Sequence, residues 1–302
     1  MGYQFHILDV FTDQAFGGNQ LAVVEGADDL DEGKMQAIAK EFGFSETVFL
    51  QTSDNGLASA KLRIFTPSQE ISFAGHPTIG VAVLLGERKM GGNEASPDAL
   101  IMLEEQIGLV RCIVSMEKES VSYAEFDAPC LPSKLADVPE ADLVADALGL
   151  GIMDIGFENH KICAAKAGNQ FIFVPLRNMA IVRQAEPDLK YWTSAFEKYG
   201  PVGVYVYCRG GIQSNSGFHA RMFAPSLGVM EDAATGSAAV AFASVIKDFE
   251  IENQAMFETY IEQGYELGRP SCIKLEVEFE QKNLRAVRVG GHALHVAKGE
   301  LL

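Results

Sequence analysis

The stretch AGHPTIGVAVLL, residues 74–85, decides the reading, because ATGSAAVAFASVI, residues 234–246, is built to the same pattern. Each begins with small residues and a glycine and continues as an apolar run, the mark of a tight loop opening a helix. Pro77 suits a first helical turn, where its missing N–H costs nothing. A strand-like run precedes each loop, residues 60–65 in one case and 217–223 in the other. Sequence identity between the two segments is slight. The repeated pattern of strand, loop and apolar helix predicts a coarse internal duplication.

Outward from the first segment, residues 4–11 and 46–50 read as strands, with a turn at Phe16-Gly17-Gly18-Asn19 followed by a short apolar run at 21–24. Met35, Ile38, Ala39 and Phe42 recur at spacings of three and four, which predicts a helix over 31–42 that Gly43 ends. Further strands are expected within 99–115. Pro129, Pro132 and Pro139 then mark a link to a second unit. That unit has strands predicted at 170–174, 203–207, 273–279 and 285–289, and its apolar helix at 238–246.

The chain has 302 residues, 48% of them hydrophobic, enough for one large domain or two medium ones. Its net charge of -17 repels phosphate backbones and anionic bilayers, so neither nucleic acid nor a membrane is expected as a partner. The five cysteines are odd in number, scattered and without a CxxC pair, as in a protein kept reduced. The start, MGYQFHILDVF, lacks the basic and long apolar regions of a secretion signal. No apolar run is long enough to span a membrane. A soluble, cytoplasmic protein is expected.

A helix start leaves backbone N–H groups unpaired and carries partial positive charge. Glycine there lets a ligand approach the backbone closely. Two such starts facing each other would cradle a carboxylate and hold the charge that develops when a neighbouring carbon loses a proton. A base must then lie within hydrogen-bond reach of that carbon.

At this point the chain resembles a known family, the phenazine-biosynthesis PhzF-like proteins. The resemblance runs in order through DVFTDQAFGGNQLAVV (9–24), FGFSETVFL (42–50) and FTPSQEISFAGHPTIG (65–80). It continues through RMFAPSLGVMEDAATGSAA (221–239), EQGYELGRPS (262–271) and VGGHALHVAKGEL (289–301), leaving 120–200 with little signal. It implies an α+β fold shared with diaminopimelate epimerase and proline racemase. Two similar domains each wrap a β-barrel-like sheet around one central helix, with the site in the cleft between them. The domains are expected at 1–118 and 119–302, with the tail 290–302 packing back on the first. The epimerases use two cysteines at the helix-opening loops; the matching residues here are Ala74 and Ala233, which disfavours a two-thiol racemase.

The resemblance further implies a single acid/base, Glu46, with His76 and Asp232 as catalytic partners. Gly75, Gly236 and Ser237 are the implied substrate-binding residues, no cofactor or metal is expected, and a homodimer is. Two residues depart from the family pattern: Gln20 and Ala233 stand where Pro is common. The phenazine precursor itself is therefore not implied as the substrate.

Read without the family, these residues have plainer roles. A glutamate opening a strand is usually solvated, His76 would pack locally at a helix start, and Asp232 is a natural helix N-cap. His292 and His295 are three apart in a predicted strand and so point to opposite faces, which argues against a shared metal. Three activities remain open: a cofactor-free isomerase of a small conjugated carboxylic acid, an α-carbon epimerase of an amino or hydroxy acid, and a catalytically silent binding protein.

Overall fold

The computed structural model describes residues 2–90, 98–116, 121–200, 202–251 and 254–302. The boundary expected between 118 and 119 lies outside the described residues. The first half contains β1 (Tyr3–Val10), β2 (Asn19–Val24), α1 (Glu32–Phe42), β3 (Glu46–Gln51), β4 (Ala60–Phe65) and β5 (Glu70–Ile71). Then come α2 (Gly75–Met90), β6 (Asp98–Glu105), β7 (Gly108–Ser115) and β8 (Tyr123–Asp127). The second half begins with β9 (Ser133–Leu135), α3 (Ala141–Ala147), β10 (Cys163–Ala167), β11 (Asn169–Pro175), α4 (Met179–Gln184) and α5 (Leu189–Phe196). It continues with β12 (Gly203–Arg209), β13 (Ser216–Ala224), β14 (Val229–Asp232), α6 (Gly236–Phe249), β15 (Met256–Gln263) and β16 (Ser271–Glu280), and closes with β17 (Asn283–Leu301).

Both small-residue, apolar segments at 74–85 and 234–246 are helices. α2 is buried on every side from Gly75 to Leu84, and α6 from Gly236 to Ile246. A helix apolar all round belongs inside a core, and α2 at about 24 Å is too short to span a bilayer. Among the described residues no helix is long and apolar enough to cross a membrane. The strands form one hydrogen-bonded sheet of 17 that wraps both helices. Along one wall runs β17, about 60 Å long at the usual rise per residue. It pairs with β1, β8 and β16, and it touches both α2 and α6. The stretch 285–289 expected from sequence is only the first part of this strand.

The duplication holds in register. In the first half β2 and β3 run parallel with Leu21 opposite Glu46; in the second, β11 and β12 run parallel with Phe171 opposite Gly203. Thr47 faces Phe65 across β3 and β4, as Val204 faces Phe223 across β12 and β13. Ile64 faces Ile71, as Met222 faces Asp232. The parallel crossovers β4-α2-β6 and β13-α6-β15 then place Ala60 beside Leu103 and Phe218 beside Ile261.

The core is one apolar cluster running through both halves and containing α2 and α6. Phe242 of α6 packs edge-on against Phe173, Tyr207 and Phe218, with ring centroids 4.9–5.6 Å apart. α1 starts at Asp31, whose carboxylate accepts from Lys34 N at 2.8 Å, and closes a smaller cluster over β2 and β3. α3, α4 and α5 cover the outer face of β11 and β12.

Candidate active site

The starts of α2 and α6 meet at the centre of the molecule. A Cβ added to Gly75 would lie 2.5 Å from Gly236 Cα, so only glycine permits this approach. Helix geometry leaves the N–H groups of Gly75 and His76 on α2, and of Gly236, Ser237 and Ala238 on α6, without acceptors in their own helix.

Glu46 opens β3 beside this junction, its side chain 15% exposed, with Oε2 buried and unpartnered. His76 Nδ1 is 3.5 Å from Glu46 Oε2, just beyond an ordinary N–H···O hydrogen bond. Burial pushes the Glu46 carboxyl well above its usual 4.5, and the charge of Asp232 acts in the same direction. Burial pushes His76 down to about 3 against an opposing hydrogen bond with the Gln20 backbone, so its imidazole is neutral at physiological pH.

Asp232 ends β14 and is held on all sides. Its Oδ1 accepts from Asn19 Nδ2 and Ser45 Oγ, both at 2.7 Å, and its Oδ2 accepts from Thr235 Oγ1 at 2.6 Å. Burial raises its carboxyl, while the hydrogen bonds from Thr235, Ser45, Asn19 and the Ala233 backbone work against that rise. The N-cap expectation is corrected here. The cap position of α6 is Thr235, and Asp232 lies three residues earlier, too far back to cap N–H groups at N2 or N3. Gln263, fully buried at the end of β15, fixes the loop between: its Nε2 donates to Asp232 O at 2.8 Å and its Oε1 accepts from Thr235 N at 3.2 Å.

A cavity of about 220 Å³ opens over these groups between the two halves. Ser45, Glu46, Asp232, Thr235 and Ser237 form its polar side; Ile71, Phe171, Met222 and Leu227 form its apolar side. Among the described residues its wall carries no lysine or arginine. Of the six residues singled out from sequence, Glu46, Asp232 and Ser237 line the cavity. His76 lies 3.5 Å from Glu46, and Gly75 and Gly236 pack against each other; none of these three lines the cavity. Sequence reasoning misses Asn19, Ser45, Thr235 and Gln263, although all four lie inside the segments that carry the family resemblance. Ala74 and Ala233 are buried, and none of the five cysteines lies in either loop. Among the described residues no group of His, Cys, Asp or Glu is arranged to hold a metal; His292 and His295 bond separately, to Val121 O and Glu87.

The family described as phenazine biosynthesis-like protein matches residues 8–299. An uncharacterized isomerase of Mesorhizobium japonicum is 41% identical, the match covering 98% of this chain and 97% of that one. A trans-2,3-dihydro-3-hydroxyanthranilate isomerase of Pseudomonas fluorescens is 33% identical over 99% of both chains. The crystal structure of a Bacillus anthracis phenazine biosynthesis protein of the PhzF family superposes with a TM-score of 0.88, covering 100% of this chain and 99% of that one at 23% identity.

Proposed function

The chain belongs to the phenazine biosynthesis-like protein family, and we propose that this isomerase moves a proton between two carbons of one small conjugated carboxylic acid without a cofactor. One observation carries the reading: Glu46 presents an unpartnered carboxyl oxygen, buried at the wall of the cavity, beside a neutral histidine. The ionised fraction of Glu46 takes a proton from an acidic C–H of the substrate. The electron pair left behind spreads through the conjugated system toward the substrate carboxylate. The N–H groups at Gly75 and Gly236, with Ser237, bind that carboxylate and hold the charge. Glu46, now protonated and 15% exposed, exchanges that proton with solvent and protonates another carbon, so the product is an isomer and the enzyme is restored.

His76 and Asp232 are the catalytic partners in this reading. His76 stays neutral beside Glu46 and adds no positive charge that would lower its basicity. Asp232 keeps its place through four donors while Glu46 remains free to exchange its proton. A raised Glu46 also limits repulsion between an anionic substrate and a wall holding two carboxyl groups. A two-base racemase is less well supported, since the register counterpart of Glu46 is Gly203, which has no side chain to act from the other side.

The test is turnover in D2O of trans-2,3-dihydro-3-hydroxyanthranilate, on which the Pseudomonas fluorescens relative acts by its name, together with a panel of small unsaturated carboxylic acids. The reading expects carbon-bound deuterium in the product from wild type and almost none from Glu46→Gln. A Glu46→Gln protein that exchanges at the wild-type rate would remove the mechanism.

A further inference from the structure

The two halves that meet at the cavity are built alike but furnished differently. The strand registers equate Asn19 with Asn169, Ser45 with Val202, Glu46 with Gly203 and Asp232 with Ile71. The tripeptide Gly18-Asn19-Gln20 recurs as Gly168-Asn169-Gln170, and both glycines have a left-handed backbone, at φ 62 and 77. Of the polar set Asn19, Ser45, Glu46 and Asp232, only the asparagine has a polar counterpart.

The two asparagines are anchored in the same way. Asn19 Nδ2 donates to Ala234 O at 2.9 Å, two residues before Gly236. Asn169 Nδ2 donates to Phe73 O at 3.2 Å, two residues before Gly75. A side-chain amide has two N–H protons. The second proton of Asn19 goes to Asp232 Oδ1 at 2.7 Å, and His76 Nδ1 lies 3.2 Å from the same nitrogen. In the other half the residue matching Asp232 is Ile71, which can accept nothing. Among the described residues the hydrogen bond of Asn169 is the one to Phe73 O, and Asn169, Ile71 and Gly203 all line the cavity.

We propose that Asn169 gives its second amide proton to a carboxylate oxygen of the bound substrate, which takes in the second half the place that the Asp232 carboxylate takes in the first. This rests on the reading of the cavity as the substrate site. The position lies four residues before Gly75, as Asp232 lies four before Gly236. It also orients the ligand, with one carboxylate oxygen at Asn169, the other toward the helix starts at Gly75 and Gly236, and the carbon skeleton reaching across to Glu46.

The experiment is calorimetric titration with anthranilate, a stable ring carboxylate, and with aniline, its counterpart without the carboxylate. Wild type, Asn169→Ala and Asn169→Asp are compared at pH 8, where the introduced aspartate is ionised, after each has shown a cooperative melt. Anthranilate is expected to bind wild type, to weaken about tenfold in Asn169→Ala, and to weaken further in Asn169→Asp, where two anions meet. Aniline binding should be the same in all three. If Asn169→Asp does not fold, Asn169→Ala decides alone. Equal anthranilate affinity in wild type and the folded variants overturns the proposal, as does failure of wild type to bind anthranilate at millimolar concentration. Anthranilate binding that depends on Asn169, together with an absence of Glu46-dependent deuterium exchange, would sink the isomerase reading and leave this contact standing.

Discussion

Asp232, at the end of β14, has both carboxylate oxygens engaged by Asn19, Ser45 and Thr235. Glu46, at the start of β3, lines the same cavity and leaves Oε2 with no partner. Burial raises both carboxyl groups, but only Asp232 has hydrogen bonds that pull it back toward the charged form. An anion surrounded by donors is fixed in place and in charge; a buried carboxyl without them exchanges its proton readily. In the proposed mechanism the division of labour between holding charge and moving a proton follows from hydrogen-bond partners, not from residue type.

Breaking the Glu46 side of this comparison has the largest expected effect on turnover. Glu46→Gln keeps the shape and loses the base, so kcat/KM should fall by about 10²–10⁴-fold. The wild-type pH profile carries the same information. Glu46 must be ionised to take the proton, and its pKa is raised, so kcat/KM should climb with pH through a midpoint well above 4.5. The Glu46→Gln residual rate should lack that limb.

Asp232→Asn is the next largest. It removes a charge and sets an NH2 among donors, leaving buried hydrogen bonds mispaired at about 1–3 kcal/mol. Turnover should fall roughly tenfold to a hundredfold, and the melting temperature should drop. Ser45→Ala sharpens the comparison more gently by removing one donor. Asp232 then retains Asn19 and Thr235, and a loss of about 0.5–1.5 kcal/mol is expected, a few-fold in rate.

Glu105 supplies a third buried carboxyl and the smallest effect on rate. Its Oε1 lies 2.7 Å from Thr78 Oγ1, its Oε2 is unpartnered, and burial raises it to about 8. It does not line the cavity. Between pH 4.5 and 8 the folded protein holds this proton more tightly than the unfolded chain, so stability should fall as pH rises across that window. Glu105→Gln should flatten that slope in denaturant titrations at several pH values and leave kcat unchanged. A kcat loss matching that of Glu46→Gln would mean that a free buried carboxyl is not by itself the mark of the proton carrier.

What the sequence discloses and what it withholds follow the same physics. The two helix starts are legible because a glycine leading into a long apolar run is the ordinary mark of a tight turn opening a buried helix. Glu46 and His76 stand out through the segments around them. Asn19, Ser45, Thr235 and Gln263 act by hydrogen bonds across the fold, with partners as far as 215 residues away in sequence, and no local spacing announces that. The repeat of Gly-Asn-Gln at 18–20 and 168–170 is visible in the chain, but a three-residue match gains meaning only when strand register aligns the halves. Asp232 reads as a cap from sequence because a short polar residue just before an apolar run fits that role in most chains. The short helices α3, α4 and α5 leave no clear pattern, being brief segments folded onto a sheet instead of long periodic stretches.

The central claim is that the buried site holds the Glu46 carboxyl well above the ordinary carboxylate range, as a proton carrier needs. The direct measurement is a titration of carboxyl-¹³C glutamate signals, with the Glu46 resonance assigned by its absence in Glu46→Gln. The account predicts a midpoint for that signal well above 4.5. A midpoint at or below 4.5 would mean an ordinary ionised glutamate and would contradict it.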